Sequence, residues 1–261
     1  MQRVLSGAIL GAATGAAVWF LGTIPLLAIA EAVLLLAFLE YAALAERLNA
    51  RVPKIASGAA SMLTCAAMAS PGAPVQGVLM AAMLGLGTLV LGSRRAGIDA
   101  LHDISASLLP ALYLGLPLGA LVATHDAAGR EAALLLMLTI VVSDTAQYYS
   151  GRTFGRRPLA PAISPAKTVE GALGGVVFGT TVMVLFGRWW LPDVGVMWRV
   201  GLGAAVVVLG IVGDLFESLI KRGAGVKDAS GLIPGHGGVL DRIDGLLFAA
   251  PMYYVFVKYV H

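Results

Sequence analysis

Charge is what this chain has least of. Asp, Glu, Lys and Arg make up 13% of its 261 residues, about half the share in a soluble globular chain, and that deficit excludes an ordinary soluble domain. Cysteine is confined to Cys65, so neither an intramolecular disulfide nor a cysteine-built metal site can form. Within its apolar run Cys65 reads as a small packing residue. No stretch reads as strand-rich. A basic face is missing too: the net charge of +3 is spread over short clusters between apolar runs, which argues against a nucleic-acid partner.

What is present is hydrophobicity, at 58% of residues. A helix needs about 20 apolar residues to cross the hydrocarbon, and nine runs approach that length: 4–21, 24–45, 55–70, 73–92, 101–123, 132–150, 169–187, 198–217 and 244–260. The expected fold is an all-α polytopic integral membrane protein of about nine transmembrane helices. It is read as one membrane domain, with N-terminal helices over 1–130 for packing and lipid access, and helices and loops over 131–261 carrying the active site. The run after Arg3 is longer than the apolar core of a signal peptide and leads straight into another run, so it is read as a retained span.

Loop charges set the orientation, because Lys and Arg are retained on the cytoplasmic side. The N-terminus and the loops after the even-numbered spans hold 14 of the 18 basic residues, among them Arg47, Arg51, Lys54, Arg94, Arg95, Arg152, Arg156 and Arg157. The other side has only Arg130, Arg188, Arg199 and Lys258. The N-terminus and the loop after the eighth span are therefore expected in the cytoplasm. Glycines four apart at Gly7, Gly11 and Gly15, at Gly115 and Gly119, and at Gly171, Gly175 and Gly179 suit close helix packing in lipid, within one chain before a homodimer.

Acids inside apolar runs are costly and require partners. Glu31 and Glu40 lie in the second run, and both are expected to pair with other spans. Asp144, Glu170, Asp214, Glu217 and Asp244 all fall at the cytoplasmic ends of their runs. Asp214, Glu217, Ser218 and Lys221 follow i, i+3, i+4, i+7 spacing and share one helix face. For Glu217 and Lys221 alone, a salt bridge on a solvated helix end is an equally good reading. Ser164 suits an N-cap and Pro165 the first helical position, so the seventh helix is expected to start there, with Lys167 beside its anion-attracting end.

The densest polar stretch runs from Ser218 to Gly245. Gly235, Gly237 and Gly238 flank His236 in a turn able to aim backbone N–H groups at an anion. Around it stand Lys221, Arg222, Lys227 and Arg242, with Asp228, Asp241 and Asp244. Cations, glycine amides and paired carboxylates suit a polyphosphate held with Mg2+. One histidine among so many carboxylates speaks against zinc, and His236 is expected to hydrogen-bond phosphate or orient the loop.

These residues resemble the phosphatidate cytidylyltransferases, also called CDP-diacylglycerol synthases. The resemblance lies in Gly213, Asp214, Glu217, Ser218, Lys221, Arg222, Lys227, Asp228, Pro234 to Gly238, Asp241, Arg242 and Asp244. Upstream, Ser164, Pro165, Lys167, Thr168, Glu170 and Gly171 match a second motif, and Asp144 to Tyr148 a third approximately, with Gln147 and Ala146 exchanged. It covers about residues 144–251.

The resemblance implies an enzyme of phospholipid biosynthesis that joins CTP to phosphatidic acid, giving CDP-diacylglycerol and pyrophosphate, in the inner membrane and with its site facing the cytoplasm. It implies catalytic roles for Asp214, Lys221, His236, Asp241 and Asp244, and one or two Mg2+ ions on Asp214, Asp241 and Asp244. Substrate contacts are implied for Asp144, Lys167, Glu170, Ser218, Arg222, Lys227, Asp228, Gly237, Gly238 and Arg242. The alternatives are a related CTP-dependent lipid kinase and, in another class, an ion-coupled transporter.

Overall fold

A computed structural model describes residues 2–93, 96–232 and 237–259, with side chains from residue 11. His236, with Pro234 and Gly235 of its turn, and Arg94 and Arg95 lie outside the described residues.

The helices are α1 (Gln2–Phe20), α2 (Thr23–Arg47), α3 (Lys54–Ala69), α4 (Val75–Gly92), α5 (Ile98–Pro110), α6 (Leu116–Phe154), α7 (Val169–Trp190), α8 (Val196–Gly223) and α9 (Leu240–Tyr259). Every apolar run falls on helix. The fifth and sixth runs share the continuous stretch Ile98–Phe154, which Gly129 breaks at φ 86°. Thr23–Arg47, Val75–Gly92, Ile98–Phe154, Val169–Trp190 and Val196–Gly223 are each long and apolar enough to cross a membrane.

The surface matches such a setting. Leu84, Leu91, Val177 and Trp198 point outward, while Ser57, Thr64, Ser107 and Thr139 are fully buried. Apolar groups are left outside because hydrocarbon, unlike water, does not penalise them, and buried hydroxyls bond to carbonyls one turn back or across helices.

The chain divides into two compact units, interleaved in sequence: Met1–Leu10, Gly22–Ala123 and Ile220–Arg242 form one, and Gly11–Leu21, Thr124–Leu219 and Ile243–His261 the other.

In the first unit α2 buries Leu34, Ala37, Phe38 and Leu44. Tyr41 Oη donates to the Ala106 carbonyl at 3.0 Å, and Ser57 Oγ to that of Ser107 at 2.6 Å. Pro110 has no N–H and crowds the carbonyl a turn back, and a π-helical stretch, Ala111–Gly115, follows it directly. Beyond that stretch Gly115 and Gly119 lie against the Ser61 and Cys65 carbonyls of α3, where a Cβ would collide with backbone. This glycine pair packs within the chain, as expected.

In the second unit Gly171, Gly175 and Gly179 are buried against Gln147, Ser143 and Thr139 of α6. They too pack within the chain. Gly11 and Gly15, by contrast, have nothing within 4 Å of where a Cβ would stand. Tyr253 Oη donates to the Ala132 carbonyl at 2.9 Å, tying α9 to α6.

The seventh helix does not begin at Ser164. Pro158–Ala160 (β1) and Ser164–Thr168 (β2) form an antiparallel hairpin, with Pro158 opposite Thr168 and Ala160 opposite Ser164. A residue before proline is steered toward extended backbone, and both Arg157 and Ser164 precede one. Thr168 takes the capping role instead, its Oγ1 accepting from the Gly171 N–H at 3.1 Å.

Candidate active site: two charged clusters

Among the described residues, most of the expected site residues gather into two clusters, one in each unit. The second unit builds the more acidic one. Asp214 and Glu217 come from α8 and Asp244 from α9, with one oxygen from each lying within 4.8 Å of the others. Gly213 makes this approach possible, because a Cβ there would meet the Asp244 carbonyl. Glu217 is completely buried, not on a solvated helix end.

Lys167, near the end of β2, forms an ion pair with Asp214. The hairpin therefore delivers this lysine from an extended segment rather than from the first turn of a helix. Ser218 Oγ donates to Asp214 Oδ1 at 3.4 Å. On α6, Gln147 Nε2 donates to Asp144 Oδ1 at 3.0 Å, which gives a role to the residue exchanged in the third motif. The charges of Asp214, Asp144 and Lys167 all bear on Asp244. Hard oxygen donors suit a metal ion such as Mg2+, and this trio could hold one. Glu170 Oε2 accepts from the Arg156 and Arg157 N–H groups at 3.0 and 3.2 Å, so it fastens the segment leading into the hairpin.

The first unit holds Lys221 and Asp241, which form an ion pair with side chains only 10% and 6% exposed. Asp241 Oδ2 also accepts from the Gly238 N–H at 2.7 Å and the Ala229 N–H at 3.0 Å. Burial alone would raise this carboxyl, but the ammonium and the two amides outweigh it and hold Asp241 below the ordinary aspartate range. Gly237, at φ 79°, packs against the Asp241 carboxylate and Asp228. Arg222, Lys227, Asp228 and Arg242 are exposed around this turn, and Arg222 also donates to the Val226 carbonyl at 3.2 Å.

Sequence reasoning missed two features. Glu217 joins Asp214 and Asp244 although only Asp214, Asp241 and Asp244 were expected to act together on metal; its signal was the shared helix face. The partners of Glu40 lie far along the chain. Its Oε1 accepts from Ser230 Oγ at 2.6 Å and the Val239 N–H at 2.9 Å, and its Oε2 from the Leu240 N–H at 2.8 Å. Nothing local announces these bonds beyond an acid standing in an apolar run.

A helical membrane protein that gathers three carboxylates and a lysine among its helices is the class that fold and site define. The chain belongs to the cytidylyltransferase family, whose model matches residues 1–260. It is 41% identical over 142 residues to the phosphatidate cytidylyltransferase of Haemophilus influenzae, across 52% of this chain and 49% of that protein. With the Aquifex aeolicus protein of the same name it shares 45% over 122 residues, across 47% and 45%. The Helicobacter pylori J99 protein of that name is 36% identical over 189 residues, across 72% of this chain and 67% of its own. The chain thus spans about half the length of the first two relatives and two thirds of the third.

Proposed function

We propose that this protein is a CTP:phosphatidate cytidylyltransferase of phospholipid biosynthesis. The observation that carries the reading is the meeting of Asp214, Glu217 and Asp244 with Lys167 adjoining, three segments distant in sequence converging on one place. Relatives named phosphatidate cytidylyltransferase support the same reaction.

Phosphatidic acid brings its own nucleophile. The second pKa of a phosphate monoester is about 6, so an oxygen is already ionised at neutral pH and no strong general base is needed. That oxygen attacks the α-phosphorus of CTP, a new P–O bond forms, and the bond to the β-phosphate oxygen breaks, with its electron pair leaving on pyrophosphate. The obstacle is bringing two polyanions together. Lys167 and Lys221 supply positive charge, and exposed Arg222, Lys227 and Arg242 draw CTP from water.

Asp214, Glu217 and Asp244 would hold Mg2+. One oxygen from each lies within 4.8 Å of the others, and hard carboxylate oxygens are the donors Mg2+ takes. Bound there, Mg2+ would neutralise phosphate charge and align the displacement. Asp241, expected as a third metal ligand, instead serves to anchor Lys221 and the glycine turn.

The loops bearing this machinery face the cytoplasm in the proposed arrangement, in the inner membrane, with CTP arriving from water and lipid from between helices. A homodimer is not required, since Gly115, Gly119, Gly171, Gly175 and Gly179 are used within the chain.

Purified protein given labelled CTP, Mg2+ and phosphatidic acid in micelles should release pyrophosphate and form CDP-lipid. Release of CDP with a phosphorylated lipid would point to a lipid kinase, and no nucleotide turnover would defeat the proposal. A cysteine placed at Ala229 should react only with reagent supplied from the cytoplasmic side.

A further inference from the structure

We propose that Glu40, on a helix far in sequence from every motif of the site, is a positioning residue that sets where α9 begins and thereby places Asp241 and the Gly237–Gly238 turn. The proposal rests on the function put forward above. Glu40 is only 6% exposed, and a carboxylate so buried is destabilising unless its oxygens are bonded. Here it is bonded three times, to Ser230 Oγ and to the N–H groups of Val239 and Leu240.

Leu240 is the first residue of α9. The N–H groups at a helix start have no partners within the helix, and the positive end of the helix dipole gathers there. An anionic acceptor at that point makes charge-assisted bonds, roughly twice as strong as neutral ones. The neighbouring amide, Gly238 N–H, goes to Asp241 instead. Successive N–H groups are thus divided between two carboxylates, Gly238 to Asp241 and Val239 and Leu240 to Glu40. If Glu40 lets go, the helix can start elsewhere, and the bond that aims Asp241 at Lys221 shifts with it.

Ser230 extends the hold to the other side of the loop, next to Ala229, whose N–H also serves Asp241. Gly238 completes the fit: a Cβ there would run into the Glu40 carboxylate. Glycine at 238 is therefore needed for the approach of Glu40 as well as for any approach of phosphate.

The test uses the full chain in micelles, with Glu40→Gln, Glu40→Asp and Ser230→Ala. Amide hydrogen exchange over 237–241, thermal midpoint, and kcat and KM for CTP are measured on each. Glu40→Gln should speed exchange in that segment and lower kcat, each about tenfold or more, with KM within about threefold, since it removes charge-assisted bonds but no substrate contact. Glu40→Asp keeps the charge and should recover much of the loss. Ser230→Ala, losing one bond of three, should cost only a few-fold. Wild-type exchange and kcat in Glu40→Gln would overturn the proposal. So would loss of protection across the whole chain with a collapsed midpoint and no recovery in Glu40→Asp and Ser230→Ala, since that marks a merely structural acid. If wild-type protein makes no CDP-lipid, the proposed function fails, while the exchange data still decide whether Glu40 holds the turn.

Discussion

The two charged clusters treat a carboxylate in opposite ways. Asp241 is saturated from within: an ammonium and two backbone amides already occupy its oxygens. Asp214, Glu217 and Asp244 crowd three carboxylates together, with the Lys167 ammonium paired to Asp214. Like charges at that spacing repel, and a cation among the three carboxylates would relieve that repulsion. One acid is bonded into its own turn, and the other three could hold a cation. The motifs group Asp241 with Asp214 and Asp244 for metal and leave Glu217 out.

The largest expected effects would break this division if it is wrong. Asp214→Asn and Asp244→Asn should each cost at least about two orders of magnitude in CDP-lipid formation, the usual loss when a strong electrostatic stabiliser goes, and should raise the Mg2+ concentration giving half-maximal rate. Asp241→Asn should lower the rate comparably but leave that Mg2+ dependence unchanged. Equal shifts in all three would merge the clusters into one metal site.

The next contrast is between the lysines. Lys221→Met leaves Asp241 buried without its ammonium and should destabilise the protein by about 3 kcal/mol or more, read as a lowered midpoint of thermal unfolding. Lys167→Met strips a partner from Asp214, whose side chain is 35% exposed, and should cost at most about 1 kcal/mol of stability while still reducing turnover.

Glycines give the smallest and sharpest contrast. Gly213→Ala forces a methyl group into the Asp244 carbonyl and should cost about 1–3 kcal/mol as well as activity. Gly11→Ala, with open space around it, should stay within about 0.5 kcal/mol of wild type.

Much of this was legible in the chain. Long apolar runs reveal helices because hydrocarbon imposes their length, and every run proved helical. Asp144, Lys167, Asp214 and Asp244 stood out because charge at the end of an apolar run needs a reason. What could not be read was pairing over long separations. Glu40 and Leu240 are 200 residues apart, and no local pattern encodes their bond. The hairpin was missed for a different reason. Ser164 and Pro165 satisfy the rules for a helix start as well as for an extended segment, and only pairing with Pro158–Ala160 decides between them.

The π-helical stretch after Pro110 carries a consequence of phase. One wider turn acts as a single inserted residue, and each residue turns a helix by about 100°. Ser107 before it and Gly115 and Gly119 at its end and beyond all meet α3. Winding Ala111–Gly115 as a regular α-helix with every residue kept would swing Gly119 off α3 by about 100° and bring a bulkier side chain round to face the Cys65 carbonyl, whereas removing one residue along with the wide turn would leave the phase intact. The irregular turn keeps two halves of one rod in step with a single neighbour.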